Sequence, residues 1–187
     1  MGTAEVGPTV SRAVRGIRVD VVNTRPDIDT EQVLRRADAV IGLVERYQPW
    51  RVRHLRRDLA RILVQRFACR GAYFPNERTC LLELTFMVNP AFTDAQVAAT
   101  LVHEGMHARL DRFCERFGVP PFPHRRARHE RICRRAELEW GLAVPDGDAV
   151  VRRALESLAL DDEEVAPVVD WREAERRVAR VDREAPG

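Results

Sequence analysis

The stretch from Phe92 to Gly118 constrains this chain more than any other, because both ends of one long helix are spelled out in it. Thr93 and Gln96 stand in the S/T-x-x-E/Q spacing of a capping box, with Phe92 and Val97 at the two positions that staple the entry turn. Gly118 and the prolines Pro120, Pro121 and Pro123 end the pattern. The predicted helix runs from Asp94 to about Phe117, and Val97, Leu101 and Val102 make its early turns apolar.

In the middle of that helix lies His103-Glu104-Gly105-Met106-His107. Residues four apart on a helix sit one above the other, so the two imidazoles can address a single ion, and Glu104, one step round, can stand beside it without ligating it. Zinc held this way lowers the pKa of a bound water towards ~7, and the adjacent carboxylate can take up the proton. With 5 histidines in 187 residues, a chance His-Glu-x-x-His occurs in about one such chain in a hundred, so the motif carries information. Gly105 is expected to leave room near the site.

A catalytic zinc needs a third protein ligand and an open position. The downstream candidates are Asp111, Cys114, His124, His129, Glu130, Cys133, Glu137 and Glu139. Asp111 and Cys114 lie about 6 and 10 Å past His107 along the helix axis, too far for the same ion. An antiparallel return after the proline cluster places the facing residues between Glu130 and Glu137. Glu130 is the expected ligand, and Glu137 is the alternative or the group that holds a histidine in place. An arginine neighbour such as Arg126, Arg134 or Arg135 offers either glutamate an ordinary ion pair instead.

The rest of the pattern predicts an α+β fold: mainly helical, with two to four strands packed against the motif helix. A strand is expected over Ile17–Val21 and a clearer one over Cys80–Val88. Helices are expected from a cap at Asp29 or Thr30 to about Tyr47, and over about Arg51–Phe67, His124–Leu142, Ala149–Leu158 and Trp171–Val181, with the acidic run Asp161–Glu164 between the last two. Residues 1–187 read as one domain with its core at about 16–160, a frayed start and a helical tail.

Composition narrows the classes. The net charge of +2 is the difference of 31 basic and 29 acidic residues, so no single-sign field points to nucleic acid or to a membrane surface. Every basic residue is Arg, which fits a coding bias. The cysteines Cys69, Cys80, Cys114 and Cys133 form no Cys-x-x-Cys pair and read as buried thiols in a reducing compartment. With no apolar span of 18 residues and no leader-like start, the expected location is the cytoplasm.

His103-Glu104-x-x-His107 followed by Glu130 resembles the gluzincin group of zincin-type zinc metallopeptidases. The stretches Leu101–Leu110 and Arg128–Cys133 look like small, uncharacterised bacterial members with the same core. The resemblance spans about residues 80–145. It implies one zinc on His103, His107 and Glu130, Glu104 as general base, and a peptide or protein substrate. It also implies that the strand before the motif helix, Cys80–Val88, pairs with that substrate. No tyrosine follows the motif to stabilise an oxyanion, since Tyr47 and Tyr73 are both upstream; His124, His129 or an arginine of the next helix would have to serve. Two other functions compete: a zincin-fold regulator of weak or lost activity, and an arginine-rich module using the 51–66 helix to bind nucleic acid or a protein. The latter predicts salt-sensitive DNA binding and no stoichiometric metal.

Overall fold

Period-2 alternation builds the sheet. In the computed structural model, which describes residues 9–119, 126–167 and 170–184, β1 (Thr9–Val14) and β2 (Ile17–Val22) form an antiparallel hairpin. β3 (Arg61–Gln65) pairs parallel with β2, and β5 (Thr79–Glu83) pairs parallel with β3. β4 (Gly71–Phe74) joins β5 antiparallel, so the order is β1-β2-β3-β5-β4 and β4 is an edge. Register places Val19, Ile62 and Cys80 in one row and Val21, Val64 and Leu82 in the next, all buried. Each such side chain contributes about 1.5–3 kcal/mol of burial.

Helices cover that apolar face. α1 (Thr30–Tyr47) is capped by Asp29, whose carboxylate accepts from the amides of Glu31 and Gln32, and it buries Val33, Leu34, Ala37, Val40, Ile41 and Val44. α4 (Asp94–Phe117) carries both halves of the expected capping box. It packs against α1, against α2 (Pro49–Asp58), against β4 and β5, and against α5 (Arg126–Ala143). α6 (Asp148–Leu158), the short α7 (Asp162–Val165) and α8 (Trp171–Glu184) complete an α+β architecture. No described helix is long and apolar enough to cross a membrane.

Three expectations fail. The helix foreseen over Arg51–Phe67 stops at Asp58, and Arg61–Gln65 is strand β3. Arg78 reaches back to cap the carbonyls of Arg57 and Asp58 at 2.8 and 3.0 Å, and the β-branched Ile62 and Val64 then alternate inward. The strand foreseen over Cys80–Val88 ends at Glu83 and turns into α3 (Leu84–Val88), because the Glu83 carboxylate caps it, accepting from the Phe86 amide at 2.7 Å. The sheet has five strands rather than two to four, with β1 and β4 unforeseen. The foreseen start of α5 at His124 lies outside the described residues.

Candidate metal centre

α4 and α5 run antiparallel and are pinned at one end. The buried Trp140 on α5 donates its indole N–H to the carbonyl of Ala95 in the first turn of α4, at 2.9 Å. Counting ten residues back along α5 from that anchor brings Glu130 level with the turn between His103 and His107, and the Glu137 carboxylate, nearer the anchor, also reaches His103.

The donor atoms converge. His103 Nε2 and His107 Nε2 are 3.1 Å apart. The two oxygens of Glu130 stand 3.3 Å from His103 Nε2 and 3.2 Å from His107 Nε2. A tetrahedral ion with nitrogen and oxygen donors at about 2.0–2.1 Å needs its ligands about 3.3–3.4 Å apart. The spacing present therefore fits such an ion with little movement.

Cys133, one turn past Glu130, adds a thiol: ligand atoms of His103, His107 and Cys133 lie within 4.8 Å of one another, a group that could hold a metal ion. Glu137 comes at His103 from behind, its Oε1 being 2.7 Å from Nδ1 but off the line of a well-aligned hydrogen bond. The same oxygen accepts from Arg134 at 2.7 Å.

Charge explains how these groups coexist. His103, Glu104 and Glu137 are buried. Burial alone would favour the neutral imidazole of His103, yet Glu130 and Glu137 outweigh it and push its pKa up to about 9. Burial also works against the charged form of Glu130, but hydrogen bonds from His103 and His107 hold its carboxyl well below the usual carboxylate range. Glu104 is raised, chiefly by burial. A proton shared with imidazole thus balances an excess of carboxylates, and a divalent cation would compete for the same place.

His103, Glu104, His107 and Glu130 line one side of a cleft of about 500 Å³. The opposite wall is β4, which corrects the expectation that Cys80–Val88 would pair with substrate: β5 is hydrogen-bonded on both sides, and the free strand edge at the cleft belongs to β4. Gly71 lets β4 come close. A Cβ there would stand 2.5 Å from Thr100 Cγ2 and 3.2 Å from Glu104 Oε1. Gly105, expected to make room near the site, instead faces α2, where a Cβ would meet Leu55 at 2.4 Å.

The remaining candidates separate. Asp111, Cys114 and His129 line the cleft, Glu139 leaves it to pair with Arg51 at 2.8 Å, and His124 lies outside the described residues. Cys80 and Cys133 are the buried thiols foreseen, whereas Cys69 is exposed and Cys114 half-buried. Tyr73, set aside as lying upstream of the motif, enters the cleft from β4 and donates to Asp111 Oδ2 at 3.2 Å. Only the position of β4, invisible to local periodicity, could have revealed it.

Compared with known families, characterised proteins and solved structures, the chain matches none.

Proposed function

We propose that the chain is a zinc-dependent hydrolase of peptide bonds. The observation that carries this reading is the convergence of His103 Nε2, His107 Nε2 and the two Glu130 carboxylate oxygens at separations of 3.1–3.3 Å, set beside Glu104 in an open cleft. Bound zinc would supply an acidified water and polarise the carbonyl. Glu104 takes the water proton as the new C–O bond forms and returns it to the amine nitrogen as the C–N bond breaks. Glu137 keeps the His103 ring turned so that Nε2 faces the ion. The exposed edge of β4 offers backbone hydrogen bonds to an extended chain. The resemblance of the His-Glu-x-x-His segment to gluzincins supports the same reading.

The test uses zinc-loaded full-length protein with labelled casein as the probe. Wild type should hold one zinc and cleave; Glu104→Gln should keep the zinc and lose at least about a hundredfold in rate; His103→Ala should lose the metal. Undiminished cleavage by the Gln variant would sink the mechanism.

Cys133 favours a second reading, a metal-holding protein without hydrolytic activity. Were its thiolate to join the histidines and Glu130, the set would be closed, as in structural zinc sites. Cobalt substitution separates the two: thiolate ligation gives an intense near-ultraviolet charge-transfer band that Cys133→Ser abolishes, whereas the hydrolase shows none.

The nucleic-acid alternative loses support from the same structure. Arg56 pairs with Glu45, Arg57 with Asp58, Arg61 with Asp20 and Glu77, and Arg66 with Glu83. These contacts neutralise most of the cations on which that reading relied.

A further inference from the structure

We propose that Asp111, held by Tyr73, is a specificity-determining residue of the cleft, and that it selects substrates bearing an amine cation close to the bond that is cut. This rests on the hydrolase reading above and names the substrate class for it.

Position comes first. Asp111 lies four residues after His107 on α4, about 6 Å along the helix axis, and it lines the same cleft as both histidines, Glu104 and Glu130. An extended chain advances about 3.3 Å per residue. A group held at Asp111 therefore belongs to a residue one or two steps from the one whose carbonyl faces the ion.

Its chemistry follows from its partner. Tyr73 donates its only hydroxyl hydrogen to Asp111 Oδ2. Burial and the Asp111 charge both push the phenol pKa up, so that hydrogen stays in place. Spent in this way, the pair presents nothing but acceptors to the cleft: Oδ1 of Asp111 and the lone pairs of the phenol oxygen. An alkylammonium, all donor and positively charged, is the group that satisfies such a surface.

Among the described residues no cation takes that place. Among the described residues none forms an ion pair with Asp111, although the chain carries 31 arginines. Across the cleft Arg134 is engaged by Glu137 and Arg126 by the carbonyl of Pro167. Arg78, which also acts on Tyr73, has its guanidinium on the carbonyls of Arg57 and Asp58. Glu115 adds further negative potential at Tyr73. Elsewhere the chain neutralises such carboxylates itself: Asp20 with Arg18 and Arg61, Asp58 with Arg57.

The amine can come from a lysine-type side chain or from a free amino terminus, and small hydroxamates tell these apart. Zinc-loaded wild type and Asp111→Asn are titrated calorimetrically with acetohydroxamate, norleucine hydroxamate, lysine hydroxamate and Nα-acetylnorleucine hydroxamate. The lysine-to-norleucine ratio reports the side-chain amine, and the norleucine-to-acetylnorleucine ratio reports the α-amine. At least one ratio should be about tenfold in wild type and fall to about one in Asp111→Asn, with acetohydroxamate unaffected. A loss of packing alone would not change a ratio. If Asp111→Asn does not fold, Asp111→Ser gives the same reading. Ratios near one in wild type, or a ratio that persists in the variant, overturn the proposal and leave the hydrolase reading standing. Zinc-loaded protein that binds no hydroxamate at all overturns the hydrolase reading and this one with it.

Discussion

Two groups of buried carboxylates in this protein have opposite surroundings. On the sheet face turned away from the helices, Asp20 is buried and salt-bridged to Arg18 and Arg61 at 2.8 and 3.2 Å. Between α4 and α5, Glu104, Glu130 and Glu137 gather around two imidazoles, and among the described residues Arg134 is the one guanidinium bonded among them. The first arrangement is electrically complete and has only structure to maintain. The second leaves negative charge over, which pushes the His103 pKa up and which a metal ion could also balance. A carboxylate out of water needs a partner; whether that partner is built in or must be recruited separates a strut from a site.

The largest expected effect breaks this contrast directly. Glu130→Ala should abolish stoichiometric zinc binding, measured by metal analysis after dialysis, while Asp20→Asn should leave it untouched. Retention of zinc in Glu130→Ala with loss in Glu137→Ala would exchange the roles of the two glutamates.

Asp20→Asn should instead cost about 1–3 kcal/mol in denaturant unfolding, because its arginines keep their charge and lose their partner. The pH dependence has a definite sign. Burial acts to raise the Asp20 pKa, but hydrogen bonds from Arg18, Ser11 and Arg61 win and hold it below its ordinary value. Its contribution is therefore full above about pH 4 and fades as pH falls through the lowered pKa. The stability gap between wild type and Asp20→Asn should close on acidification; a constant gap would remove charge from the explanation.

Glu137→Ala should weaken zinc by about 10–100-fold, the usual effect of removing the group behind a ligating histidine. Competition with a chromophoric chelator measures this, and an unchanged affinity would make Glu137 a partner of Arg134 alone. The smallest effect belongs to Glu139→Ala. That side chain is 68% exposed, and its buried partner Arg51 keeps the Gln48 side-chain oxygen and the Ala136 carbonyl as acceptors, so stability should change by about 1 kcal/mol and zinc affinity not at all.

The contrast also explains what could be read from the sequence. α4 was legible to the residue, because Thr93, Gln96 and Gly118 are local signals that act within a turn. The pairing of Glu130 and Glu137 with the histidines was nearly so, since rise per residue along two antiparallel helices is simple arithmetic. β3 was hidden because Leu59, Ile62 and Leu63 satisfy helical spacing as well as strand spacing; the capping of α2 by Arg78, distant in sequence, decides the outcome. β4, and with it Tyr73 and Gly71, was hidden because a four-residue edge strand with half-buried side chains leaves almost no pattern. The cluster proposed to hold the metal was therefore visible, and the β4 wall of the cleft was not.

The bond from Trp140 to Ala95 has a consequence for which ion the centre accepts. It ties α5 to the first turn of α4, which opposes sliding of one helix along the other and so resists widening of the donor spacing. Calcium takes six to eight oxygens at 2.3–2.6 Å and would need both more oxygens and a wider frame. A small ion content with imidazole nitrogen needs neither, so under the proposed zinc reading a tryptophan remote from the chemistry would contribute to the choice of metal.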